Sequence, residues 1–98
     1  MKQVFHVVLL RFKDGQEAIA PRLDAALAAL QKLPGMVSYR GGAYSSPEGL
    51  NQGFTHGFIM TFTDAQARDR YLGHPEHEKV KAEFLPFVDK VVAFDFEA

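Results

Sequence analysis

From Val4 to Phe12 the chain reads Val-Phe-His-Val-Val-Leu-Leu-Arg-Phe, β-branched and aromatic, and apolar at both parities until Arg11. A strand that is apolar on both sides is one covered on both sides. Asp14-Gly15 breaks it. Between Glu17 and Leu33 the period changes: Ile19, Leu23, Leu27, Leu30 and Leu33 recur at three- and four-residue spacings, with alanines between them. That is one stripe of an amphipathic helix. Pro21 lacks an amide hydrogen and is tolerated only in a first turn, so the helix is predicted to start near Ala18 to Ala20. Pro34-Gly35 ends it.

Met36 to Tyr44 reads as a second strand, weakened by Gly41-Gly42, and residues 45–49 (Ser-Ser-Pro-Glu-Gly) as a loop. Phe54 to Phe62 is a third strand with a clear alternation. Phe54, His56, Phe58, Met60 and Phe62 share one face; Thr55, Gly57, Ile59 and Thr61 share the other. Asp64 suits the N-cap of a short helix through Tyr71-Leu72, with Gly73 placed as its C′ residue. Pro75 fits the first position of another helix reaching about Leu85, which Pro86 limits. Val91 to Phe96 is the last strand.

The order β-α-β-β-α(α)-β predicts an α+β domain of the split βαβ, ferredoxin-like type, with a four-stranded antiparallel sheet and helices on one face. The aromatic face of the third strand is assigned to the helices. The opposite face carries Phe5, Val7, Leu9, Gly57 and Ile59 and is too apolar to stay wet, which marks an interface. A second copy, sheet against sheet, would bury it. At 98 residues the chain is read as a single domain, residues 1–98, able to bury only part of its surface alone.

Composition narrows the function classes. With 47% hydrophobic and 23% charged residues the chain is ordinary globular material rather than disordered. Eleven basic and twelve acidic residues are scattered, with no run of like charge beyond two, so neither nucleic acid nor an anionic membrane is an expected partner. The absence of cysteine removes disulfides, thiolate metal sites and a Cys nucleophile. No signal peptide is read at the N-terminus and no apolar run approaches a membrane span, making the cytoplasm the default location.

Candidate chemistry rests on His6, His56, Tyr71, His74 and His77. Each has a plain structural alternative. A strand histidine is commonly a satisfied half-core residue, and a helix tyrosine a packed ring with a wet hydroxyl. His74 sits where an N-cap falls before Pro75, which favours a turn role. His77 lies in the first turn of the following helix, whose positive end disfavours imidazolium, while Glu76 and Glu78 act the other way. The direction of its net shift stays open.

A metal site is not expected. Pairing residue 8 with residue 58 sets His6 and His56 about four residues, or about 13 Å, apart along the sheet. No Asp or Glu falls at an inward strand position near either of them. The serines have no nucleophile-elbow context, and Gly41-Gly42 does not precede a helix, so phosphate-loop and serine-hydrolase readings fall away and no cofactor is implied.

Taken together, residues 5–13, residues 54–62, the segment Tyr71-Leu72-Gly73-His74-Pro75-Glu76-His77 and the closing Phe94-Asp95-Phe96 resemble the stress-responsive A/B-barrel domain over essentially the whole chain. The resemblance implies a homodimer whose sheets face each other as an α+β barrel with the helices outside. One plant branch of that family, olivetolic acid cyclase, closes a linear polyketide by aldol condensation without a cofactor, using a Tyr and a following His. Carried over, that implies Tyr71 and His77 as the catalytic pair and His6 and His56 as pocket residues; Phe58 and Leu10 are read as substrate-binding beside them. The first helix here is rich in alanine (Ala25, Ala26, Ala28, Ala29), so the same substrate is not implied. Two classes of function follow. One is a cofactor-independent cyclase, lyase or isomerase of a carbonyl or polyketide-like compound. The other is a non-catalytic stress-responsive protein, structural or binding a small apolar ligand.

Overall fold

The computed structural model describes residues 2–98. β1 (Val4–Phe12) leads through a 3₁₀ turn, Glu17–Ile19, into α1 (Ala20–Ala28), which tightens into a second 3₁₀ turn at Ala29–Lys32. β2 (Met36–Ala43) and β3 (His56–Phe62) follow, then α2 (Ala65–Leu72), α3 (Pro75–Phe84), a 3₁₀ turn at Leu85–Phe87, and β4 (Val88–Glu97). The four strands form one sheet in the order β2-β3-β1-β4, antiparallel throughout. This is the ferredoxin-like arrangement the pattern predicted.

The β1–β3 register sets Val8 opposite Phe58, His6 opposite Met60 and Leu10 opposite His56. Val4, His6, Val8, Leu10 and Phe12 therefore point to the helices and are all buried. Leu23, Leu27 and Leu30 of the predicted stripe are buried against them, with Ile19 and Leu33 packed at the margins. Burying a leucine contributes about 1.5–3 kcal/mol, so this stripe is a main tie between α1 and the sheet.

Several boundaries differ from the sequence pattern. β3 starts at His56, two residues late. Phe54 lies outside the strand, where the Lys90 ammonium sits 4.7 Å from its ring centroid. β4 begins at Val88, three residues early. Asp89 and Lys90 interrupt its apolar pattern, but β4 is an edge strand, where charged side chains are tolerated and discourage further pairing. Asp89 meets Arg11 at 3.3 Å across that edge. Gly73 does end α2, but at φ −96°, ψ 2° rather than in the left-handed region. The chain turns directly into α3 there, and the amide of His74 takes the Tyr71 carbonyl, so no left-handed turn is needed.

The outer face of the sheet has no helix over it. Its rows run Arg40-Ile59-Val7-Phe94, Ser38-Thr61-Phe5-Phe96 and Gly42-Gly57-Leu9-Val92. Phe94 is 66% exposed and Phe96 43%, although Phe96 stacks on Phe5 at 5.0 Å.

Candidate functional site

Between the inner face of β1 and β4 and the helices α1 and α3 lies a cavity of about 330 Å³. Val8, Leu10, Phe58, Leu23, Leu27 and Phe84 make most of its wall apolar. The polar groups in that wall come from His6, Tyr71, His77 and Lys81. Val91 and Ala93 of β4 complete it, and Val91 is 52% exposed.

Two helix ends place the central pair. Asp64 caps α2, its carboxylate accepting from the Ala67 amide at 2.8 Å. That start puts Ala67 and Tyr71, four residues apart, on the buried side of the helix. At the other end the Leu72 carbonyl is one of the four that an α-helix leaves without an internal partner. The Nδ1–H of His77 donates to it at 3.0 Å. A carbonyl only accepts, so this bond fixes the tautomer: Nδ1 carries the hydrogen and Nε2 is bare in the neutral ring. The His77 and Tyr71 rings lie 4.3 Å apart, tilted by 39°.

The electrostatics of the two residues match that geometry. Burial lowers the His77 pKa from its ordinary 6.5, reinforced by the Lys81 cation and opposed by the Leu72 hydrogen bond and Glu78. The direction left open by the sequence is thus downward, with desolvation as the leading cause rather than the helix dipole. Burial likewise raises the Tyr71 pKa well above 10, so its phenol keeps the proton and donates hydrogen bonds. A neutral imidazole with a bare nitrogen can accept a proton, and a phenol beside it can donate a hydrogen bond to an oxygen.

The remaining candidates separate. His6 borders the cavity, its ring edge-on to Tyr71 and to Phe58, each at 6.4 Å. Leu10 and Phe58 line the same cavity. His56 is on the helix side, as its parity predicts, but it is not in this wall. Its Nε2 is 2.9 Å from Asp24 of α1, and its ring packs on Phe12 at 5.8 Å. Asp24 also accepts from the Tyr39 hydroxyl. Burial, ahead of the carboxylate, raises the Tyr39 pKa. His56 thus ties α1 to β3. His74 is the N-cap of α3, its Nδ1 accepting from the Glu76 amide at 3.1 Å.

One sequence expectation is overturned. An acid does stand at an inward strand position beside a histidine: Asp95 of β4 pairs with His6 in the register, and their side chains meet at 2.6 Å. The signal was present in Phe94-Asp95-Phe96, where alternation turns both phenylalanines outward and the aspartate in. Among the described residues, no three His, Asp or Glu side chains converge as metal ligands.

The fold and site define a ferredoxin-like α+β domain with an apolar cavity edged by imidazole and phenol. Residues 4–98 match the family model described as the stress responsive A/B barrel domain, and the chain belongs to that family. Stress-response A/B barrel domain-containing protein HS1 of Arabidopsis thaliana is 34% identical over 96 residues, covering 96% of this chain and 88% of that protein. A dimeric ferredoxin-like protein of unknown function from Jannaschia sp. CCS1 superposes with a TM-score of 0.87 at 26% identity, covering 98% of this chain and 99% of that one. A hydroxynitrile lyase from Passiflora edulis superposes with a TM-score of 0.89 at 25% identity, covering 99% and 94%.

Proposed function

We propose that this protein is a cofactor-independent acid–base enzyme, a lyase, cyclase or isomerase of a small apolar carbonyl or hydroxy compound, working as a homodimer. The observation that carries the reading is the His77–Tyr71 pair at the cavity, with the imidazole hydrogen committed to Leu72 and Nε2 left bare. His77 takes a proton from carbon or hydroxyl, and the Tyr71 phenol donates to the oxygen on which charge develops. The apolar wall lowers the local dielectric and strengthens both interactions. The hydroxynitrile lyase among the similar structures is compatible with this chemistry.

The dimer reading rests on the outer sheet face. Phe94, Phe96, Val92 and Leu9 are 39% or more exposed on one side of a single sheet, and the Jannaschia relative is described as dimeric. Pairing two such faces buries them all.

The test is turnover of a panel of β-polyketones, aromatic hydroxynitriles and phenolic acids by the parent protein and by His77→Ala. Turnover by the parent, reduced about 10²–10⁴-fold by the substitution, is the expected result. No turnover on any member, together with no shift of the melting temperature by any of them, defeats the enzyme reading and favours a structural protein.

A further inference from the structure

Among the described residues that line the cavity there is one lysine, Lys81, and no Arg, Asp or Glu. Asp95, the inward acid of β4, is taken up by His6 and Arg68 and is not part of the wall. Lys81 stands on α3 four residues after His77, which sets the two on one side of the helix, about 6 Å apart along its axis. They are close enough for the ammonium to lower the His77 pKa. Floor and mouth of the cavity differ. Val8, Leu23, Leu27 and Phe84 are buried, whereas Val91 is 52% exposed and the Lys81 side chain 45%. The cation is thus at the mouth, one helical turn from the imidazole, with an apolar interior behind both.

The partner of Lys81 within the chain is Glu78, at 3.5 Å across an i,i+3 spacing. A long, half-exposed pair of this kind is weak and exchanges readily for another anion. An apolar compound ending in an anion gains at both ends of the cavity. Its body leaves water for the leucines, and its charge meets an ammonium at the edge of a low-dielectric space, where the attraction exceeds that in bulk water. The anion that suits this mouth is a carboxylate rather than a phosphate. Phosphate sites add an arginine fork or a glycine-rich backbone nest, and no arginine or glycine lines this cavity. At about 330 Å³ the space is at the small end of ligand sites, which run from about 300 to 1,000 Å³, so the body is no larger than a single ring with a short side chain.

We propose that Lys81 selects the substrate of this cavity, and that the substrate is a small apolar hydroxy or oxo acid. Its carboxylate lies at the mouth on Lys81, its hydroxyl or carbonyl one turn along beside His77 and Tyr71, and its apolar end against Leu23 and Leu27. The proposal rests on the acid–base reading for the fate of the hydroxyl or carbonyl, and not for the carboxylate contact.

A lysine stem also covers apolar surface while its ammonium stays in water, and the test separates that role from selection. The probe is 3-phenylpropanoate, compared with 3-phenylpropanamide, which has the same body and no charge. Neither carries a hydroxyl or ketone for His77 to act on, so binding is read apart from turnover. Titrations followed in ¹H–¹⁵N spectra of the labelled parent should move the amides of Leu23, Val80 and Phe84. The acid should bind about tenfold more tightly than the amide, the low end for a hydrogen bond to a charged group. Added salt should narrow that gap. Lys81→Met keeps the stem and loses the charge, and it should bind the two equally; Lys81→Arg should keep the preference. In the turnover panel, Lys81→Met should raise KM for the acids with kcat little changed and leave the neutral members unaffected.

Equal affinity of the parent for acid and amide overturns the proposal without any variant, as does a failure of both to bind. A preference for the acid that survives in Lys81→Met overturns it too, and leaves Lys81 only the packing of its stem. Selection of the acid by a parent that turns over nothing defeats the acid–base reading alone, and Lys81 then selects the ligand of a binding protein.

Discussion

The Nδ1–H of His77 is committed to the Leu72 carbonyl, and burial holds the ring neutral below its ordinary pKa of 6.5. Two pH effects follow. As a base His77 stays competent below pH 6.5, so the acid limb of kcat/KM should bend below that value, read from rates across pH 5 to 8. For stability, the unfolded chain takes up the proton first as pH falls, because its imidazole has the higher pKa. The contribution of His77 is therefore fully present above pH 6.5 and is lost as pH drops from there towards the lowered folded value. Thermal melts of His77→Ala should lack that segment of the parent's pH dependence. Tyr71→Phe keeps the buried ring and removes only the hydroxyl. It should lower kcat with little effect on KM or melting temperature, and an unchanged kcat would remove the oxyanion role. Tyr71 and His77 were each candidates in the sequence, and their pairing was implied only by the family resemblance; the structure sets their rings side by side because two adjoining helix ends meet there. Asp95 was not recognised as the partner of His6, since 89 residues separate them in the chain.

The placement of Tyr71 depends on how α2 starts and how closely it approaches the loop before β2. Asp64 supplies the start, and Asp64→Ala should cost about 1 kcal/mol, measured by urea denaturation, by leaving the Ala67 amide without its acceptor. The approach depends on Gly35. Its φ is +90°, and a Cβ added there would lie 2.4 Å from the Cβ of Ala67. Gly35→Ala combines left-handed strain of about 1–2 kcal/mol with that clash, so it should lower stability by more than Asp64→Ala in the same measurement. Equal stability of parent and variant would mean that α2 can withdraw freely. Pro34-Gly35 and Asp64 were both readable as punctuation, because capping and positive φ are local preferences. The conformation at Gly73 was not, because the next helix takes up the α2 carbonyls through His74 and His77.

The sheet has one face under helices and one under nothing, and the uncovered face carries the most exposed aromatic side chain, Phe94. Ile59 and Val7 are directly paired at its centre, with Phe94 beside Val7. If two copies join there, Ile59→Asp replaces an apolar side chain of the seam by a carboxylate on each copy, and even with Arg40 beside it in the register the cost of burying that charge should shift the dimer towards monomer. Sedimentation velocity at low micromolar concentration decides this: a parent that runs as a folded monomer, or an Ile59→Asp protein that stays dimeric, excludes that seam.

Strand alternation, the leucine stripe of α1 and the proline and glycine stops are properties of short windows. A reading of such windows therefore recovered the order of elements, the faces of β1 and β3 and the α+β class. Periodicity states which way a side chain points but not what it meets. The pairing of His6 with Asp95 follows from the β1–β4 register, and that of His56 with Asp24 from where the Leu23–Leu27 face seats α1 on the sheet. The cavity arises likewise from packing, because α1 and α3 leave space against β1 and β4. Each of these is settled by long-range burial among segments far apart in the chain, which is why one histidine borders the cavity and another fastens a helix although both share the same inward parity.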